Sequence, residues 1–338
     1  MRSPYSIPTG EALRCTLCPR RCLLREGQYG LCHSRRAVEG SIEALTFGKL
    51  SAVEMRPMEA KPFYHFLPGE EALTFSSWGC NLLCPWCQNY HLSIAKEHSP
   101  WAVEYGVEEI SPGELVKIAL ERGAAATCGS FMEPLIMAEY LLELFPLAAR
   151  EGLKNTLVTN GYVESEPLEE IVNSGLHGAS LDVKGDDGVY RRYMGARLRP
   201  VMETLQLMVE RGVHVEIVYL AVTGVSDGEE VFRGAMEEVL EVVDPSRVPL
   251  HINRYHPTPL FHSPPTPFGR LMRLRRLAEG LGFTFIYVGN TPEEELQWTR
   301  CPSCGEVLIK RRGLRMTEDR TLKGVCPFCG FHLPGVYA

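Results

Sequence analysis

Between Ala72 and Val288, short apolar runs alternate with longer stretches whose apolar residues recur every three or four positions. The runs Ala72–Ser77, Ala125–Phe131, Thr156–Thr159, Ala179–Val183, Val213–Val222, Val248–Asn253 and Phe283–Val288 read as strands. The stretches Pro112–Arg122, Leu135–Arg150, Leu168–Ser174, Val201–Arg211, Gly228–Val243 and Pro267–Gly280 read as amphipathic helices. Strands that alternate with helices imply parallel β-α-β units. About six such units suit an α/β fold, a partial (β/α)6 TIM-type barrel. A doubly wound sheet is the runner-up, but no Gly-x-Gly-x-x-Gly follows any of these strands.

Cysteines at short gaps flank this region and also fall within it. Eleven of the twelve cysteines fall into three groups, and only Cys128 stands apart. Such grouping points to metal rather than to a disulfide framework. It divides the chain into a four-cysteine knuckle over 1–45, a barrel over 46–292 and a ribbon over 293–338. With 338 residues, 45% hydrophobic, the chain has enough apolar material for a sizeable core. A net charge of −7 argues against a bulk nucleic-acid or membrane binder. No apolar run reaches membrane-spanning length and the start lacks a signal-peptide core. Free thiols in this number suit a reducing compartment, so a cytoplasmic protein is expected, with no membrane partner.

The central group is Cys80-x3-Cys84-x2-Cys87, with Trp86 just before its last cysteine. It follows the first barrel strand, so its loop lies where barrel folds place their chemistry. Three thiolates can hold three irons of a 4Fe-4S cube and leave the fourth iron open. A cluster used for electron transfer has four cysteines. An open metal position is a reaction site. The amine and carboxylate of S-adenosylmethionine (SAM) can chelate that iron, and one electron can split its sulfonium bond to a 5'-deoxyadenosyl radical. The competing reading is structural zinc.

The other two groups have four ligands each. Cys15, Cys18, Cys22 and Cys32 make a closed shell that suits structural zinc or a second Fe-S cluster. Cys301-x2-Cys304 and Cys326-x2-Cys329, each followed by glycine, form matched knuckles of a zinc ribbon. Between them runs Lys310-Arg-Arg-Gly-Leu-Arg315, a solvated hairpin face or a contact for RNA or an acidic protein.

The cysteine motif resembles the radical SAM signature. The wider set of motifs is similar to the radical SAM enzyme of the AmmeMemoRadiSam group, which resembles pyruvate formate-lyase activating enzymes. Its carriers are Cys18-Pro-Arg-Arg-Cys22, Lys61 to Gly69, Cys80 to Asn89, Glu133-Pro134, Thr159-Asn160-Gly161, Asp182-Val-Lys184-Gly185, His256-Pro257, Tyr287 to Asn290 and the ribbon. The resemblance implies a radical SAM enzyme, oxidoreductase-like, with Cys80, Cys84 and Cys87 as catalytic cluster ligands. It implies SAM contacts by Trp86, Glu133, Asn160, Asp182, Lys184 and His256, and an electron donor such as flavodoxin or ferredoxin. Asp182 and Lys184 share a strand face, so Lys184 can meet the SAM carboxylate; a local ion pair is the plainer reading. Glu133 can instead cap the next helix, His251 reads as a core histidine, and Arg254 as a carboxylate or phosphate contact.

Two positions depart from the activating-enzyme pattern. Val158 stands where an acidic residue is common, and Cys128-Gly-Ser-Phe-Met132 precedes Glu133. Cys128 reads as a buried thiol, with a radical relay or cluster ligand as the alternatives. The substrate is open: a protein glycine would make this a glycyl-radical activase, an RNA base or metabolite a modifying enzyme. The alternative class is a zinc-binding RNA or protein interaction module without radical chemistry.

Overall fold

The apolar runs become a sheet whose strands are buried on both faces, as parallel strands are. The computed structural model describes residues 1–93 and 107–338. Its main sheet has eight strands: β1 (Ala52–Pro57), β2 (Glu71–Ser76), β3 (Ala126–Gly129), β4 (Lys154–Thr159), β5 (Leu176–Val183), β6 (His214–Ala221), β7 (Leu250–Arg254) and β8 (Ile286–Gly289). The strands lie in chain order, β2 to β8 parallel and β1 antiparallel on the edge of β2. β1 and β8 do not pair, so the barrel is open. Each crossover carries a helix: α1 (Pro112–Glu121), α2 (Ala138–Arg150), α3 (Ser165–Asn173), α4 (Asp187–Met194) and α5 (Arg199–Glu210) together, α6 (Glu229–Leu240) and α7 (Phe268–Gly280). Six β-α units and a closing strand thus bear out the expected partial barrel. Among the described residues, no helix is long and apolar enough to cross a membrane.

Local signals set several boundaries. α1 starts at a capping box between Ser111 and Glu114, with Pro112 at its first position. The predicted Leu135–Arg150 helix is instead two pieces. Glu133 caps a 3-10 turn, Pro134–Met137, and α2 follows it. β1 and α4 were not expected. α4 is short and mostly polar, and it is held by Asp186 as its N-cap and left-handed Gly195 at its end. β1 mixes charged and apolar residues, which suits an edge strand but gives a weak sequence signal.

Inside the sheet, alternate residues face the lumen. Towards the strands' N-terminal ends the lumen is filled by Met58–Leu67. Met58, Phe63 and Phe66 pack there on Ala72, Ala126 and Cys128, all buried. The ribbon docks beneath this plug. Leu67 donates to the Val336 carbonyl at 2.7 Å and Val336 donates to that of His65 at 2.8 Å.

The ribbon corrects the reading of the basic run at one position. Arg311 is not on a solvated face; it is 1% exposed. It donates to the carbonyls of Gln297 (3.0 Å) and Tyr64 (2.8 Å) and to Thr299 Oγ1 (2.8 Å). Its guanidinium lies 4.0 Å from the Tyr64 ring centroid. Lys310, Arg312 and Arg315 are paired with Glu318, Glu294 and Glu71. The hairpin alternation turns Arg311 inward, while Arg312 and Arg315 stay on the exposed face.

Candidate active site

The loop after β2 carries Trp78 to Cys87 and is fixed by close packing. Gly79 has φ +97°, and a Cβ there would stand 2.2 Å from the Cys32 carbonyl oxygen. Only glycine fits this approach. Arg20 Nε donates to the Asn81 carbonyl at 2.8 Å, and the Asn81 amide donates to the Tyr162 carbonyl at 2.5 Å. Cys87 N–H closes a turn on the Cys84 carbonyl at 3.1 Å.

Cys80, Cys84 and Cys87 all line one cavity of 320 Å³, at the C-terminal ends of the strands. Burial pushes the Cys80 thiol well above its usual range, and the Cys84 thiol up to about 12 despite the nearby Lys184 cation. A metal cation that takes up these thiolates displaces the protons they otherwise keep. The three sulfurs do not all lie within 4.8 Å of one another. Sulfurs on one zinc would lie roughly 3.8 Å apart, from Zn–S bonds of about 2.3 Å at tetrahedral angles. The wider spread fits a cluster in which each thiolate holds a different iron.

Glu133, Asn160, Asp182, Lys184 and Trp86 line the same cavity. Glu133 is 3% exposed and accepts from Thr159 Oγ1 (2.6 Å), Asn160 N–H (2.7 Å) and Leu135 N–H (3.0 Å). Burial nonetheless raises its carboxyl from 4.5 to about 7. Glu133 therefore caps the following 3-10 turn and also fixes Asn160. The Asn160 amide in turn reaches Cys80 Sγ at 3.5 Å and Asn81 Oδ1 at 3.1 Å. Lys184 Nζ donates to Asp182 Oδ2 at 2.7 Å, their side chains 15% and 27% exposed. Burial alone would depress the Lys184 ammonium, but Asp182 and the Cys84 sulfur outweigh it and hold the charge. The ion-pair reading and the cavity position are thus both present. Trp86 packs edge-on against Tyr193 and Phe261, with centroids 5.6 and 5.9 Å apart.

His256 stands outside the cavity lining, and its Nε2 lies 3.2 Å from the Asn290 carbonyl oxygen. His251 is a core histidine, with Nε2 donating to Glu216 at 2.7 Å. Arg254 donates to the Thr266 carbonyl. Cys128 is fully buried in the plug cluster, as the plainer reading had it. Val158 and Met132 line the cavity. Sequence reasoning missed Lys61 and Ser130, which line it too. Lys61 is 3% exposed, with Nζ 3.4 Å from Ser130 Oγ and 4.0 Å from the Phe131 ring centroid. Its burial lowers the ammonium pKa. Its signal was a lone cation inside the apolar run Met58 to Phe66.

The other two cysteine groups differ in spacing. In the ribbon, the sulfurs of Cys301, Cys304, Cys326 and Cys329 all lie within 4.8 Å of one another, with 3.4 Å from Cys301 to Cys329 and 3.7 Å from Cys304 to Cys326. Gly305 and Gly330 close the two knuckles with φ +77° and +76°. This is a set compatible with tetrahedral zinc. Cys15, Cys18, Cys22 and Cys32 line a second cavity together with Arg20, Asn81 and Arg35.

Comparison with known proteins gives the frame for these sites. The chain is 33% identical over 308 residues to an uncharacterized protein of Methanocaldococcus jannaschii, covering 91% of this chain and 90% of that one. It is 26% identical over 165 residues to the pyruvate formate-lyase 1-activating enzyme of Escherichia coli K12, covering 48% of this chain and 65% of the enzyme. Streptococcus suis SuiB bound to S-adenosylmethionine superposes with a TM-score of 0.49 at 14% identity, covering 66% of this chain and 51% of that one. The Radical SAM superfamily profile matches residues 76–233, which span the loop of Cys80, Cys84 and Cys87 and the strands that carry Glu133, Asn160, Asp182 and Lys184. The family implies a 4Fe-4S cluster, SAM and SAM-cleaving radical chemistry, and residues 76–233 of this chain form a radical SAM domain.

Proposed function

We propose that Cys80, Cys84 and Cys87 hold a three-cysteine 4Fe-4S cluster and that the adjoining cavity binds SAM. The observation that supports this most is that three spread thiols and the Lys184–Asp182 pair line one cavity at the strands' C-terminal ends. Bound together, the cluster and SAM supply one-electron cleavage of the sulfonium bond and a 5'-deoxyadenosyl radical for hydrogen abstraction. Lys184 provides positive charge for a carboxylate, with donors left over after Asp182. Glu133 acts as a positioning residue that holds the Asn160 amide beside Cys80. Trp86 walls the cavity. His256 contributes to SAM binding only through a shift of its loop.

The finer reading is a glycyl-radical activase of the AmmeMemoRadiSam type, oxidoreductase-like and reduced by a donor such as flavodoxin or ferredoxin. Similarity to pyruvate formate-lyase 1-activating enzyme supports it. Zinc in the ribbon and a division at about residues 45 and 292 complete the proposal. A cytoplasmic setting suits twelve unpaired cysteines. The test is 5'-deoxyadenosine formation by anaerobically purified protein under a strong reductant. Wild-type protein should form it, and the Cys80→Ala, Cys84→Ala, Cys87→Ala triple variant should not; equal turnover in both refutes the assignment. Transfer of deuterium from a labelled glycine-containing protein into 5'-deoxyadenosine would then identify the activase.

A further inference from the structure

The N-terminal four-cysteine set is built differently from the ribbon set. Its thiols line a single cavity, with Cys15, Cys18 and Cys32 each at most 8% exposed. Yet no three of its four sulfurs lie within 4.8 Å of one another, whereas the ribbon's four all do. One zinc would draw four sulfurs to roughly 3.8 Å separations. Thiolates that each hold a different iron of one cube stand farther apart.

We infer that Cys15, Cys18, Cys22 and Cys32 ligate a second iron–sulfur cluster, of the 4Fe-4S class. A second observation points the same way. Arg35 lines this cavity and is 1% exposed. Its terminal nitrogens are held by Glu139, Ser3 and the Ile136 carbonyl. Its Nε, though buried, has no hydrogen-bond partner. A buried N–H without a partner is destabilising, and an anionic cluster in the cavity would supply the acceptor. Leu31 N–H and Ser34 Oγ already donate to Cys22 Sγ (3.5 Å) and Cys32 Sγ (3.1 Å), as donors to cluster thiolates do.

Four protein ligands leave no open iron, so this cluster binds no SAM. Its chemistry is one-electron exchange, with no bond formed or broken at the thiolates. It also stands beside the first site. Asn81, which lines this cavity, directly follows Cys80, and the Cys32 carbonyl packs against Gly79.

The test is metal and sulfide analysis of the full chain, purified without oxygen and reconstituted with iron and sulfide, independent of activity. Two clusters and one ribbon zinc require about eight iron, about eight sulfide and about one zinc per chain. Cys80→Ala, Cys84→Ala, Cys87→Ala should then keep about four iron, with a paramagnetic signal on one-electron reduction. About four iron retained in both proteins would support the N-terminal cluster and refute the cluster at Cys80, Cys84 and Cys87. About four iron in wild type, lost in the triple variant, overturns the inference, whether a second zinc is found or not. Should the triple variant fail to fold, the wild-type ratio decides: about eight iron to one zinc supports the second cluster, about four to one or four to two overturns it.

Discussion

The base and the mouth of the barrel both bury charged side chains, and they differ in what those charges face. At the base, Glu216 is fully buried and accepts from Tyr64 N–H (3.0 Å), His65 N–H (2.8 Å), His251 Nε2 (2.7 Å) and His214 Nε2 (3.1 Å). Burial would raise its carboxyl, but these histidines hold it well below the carboxylate range. Below it a hydrogen-bonded chain links Arg311, Thr299, Tyr287, His65 and the Pro334 carbonyl. His65 Nδ1 donates to that carbonyl, and burial lowers its pKa from 6.5 to about 4, which favours the neutral ring. At the mouth, Lys184 and Asp182 have chiefly each other, Lys61 has a weak contact to Ser130, and all face a cavity with three thiols. Buried charges met by protein partners hold a structure together, whereas charges aimed into a cavity await a ligand.

The sharpest way to break this contrast is at the mouth. Cys80→Ala, Cys84→Ala, Cys87→Ala should abolish 5'-deoxyadenosine formation while leaving the denaturation midpoint near wild type. A collapse of stability would place these residues with the base. Next in size, Arg311→Met should destabilise the fold by about 3–5 kcal/mol in chemical denaturation, because it leaves Glu59 and three acceptors buried without their cation. SAM affinity measured well below its midpoint should not change.

Lys184→Met is expected to weaken SAM binding by about 1.5–3 kcal/mol, roughly tenfold to a hundredfold, with cluster content intact. Unchanged affinity in a titration of the reconstituted protein would reduce Lys184 to its ion pair with Asp182. The smallest effect is a slope. The folded state holds His65 neutral to about pH 4, whereas the unfolded chain takes up its proton near 6.5. Stability from this group is therefore present above 6.5 and lost as pH falls from 6.5 to about 4, by at most about 1.4 kcal/mol per pH unit. His65→Gln should flatten that portion of the stability–pH curve, and an unchanged curve would show that His65 is solvated.

Features fixed over a few residues were legible in the sequence. The Cys-x3-Cys-x2-Cys loop, the two ribbon knuckles and the strand–helix alternation all depend on spacing that survives any tertiary arrangement. The same holds for Asp182 and Lys184, whose shared strand face follows from the pleat. What only the tertiary structure decided involves residues distant in the chain. It put Lys61 in the cavity of Cys80, since the plug segment enters the lumen from the opposite end. It turned Arg311 from a surface cation into a buried one. It also set apart two four-cysteine groups, one tight and one spread. Spacing along a chain states which sulfurs can reach a common centre, while contacts between residues distant in the chain decide how far apart they stand.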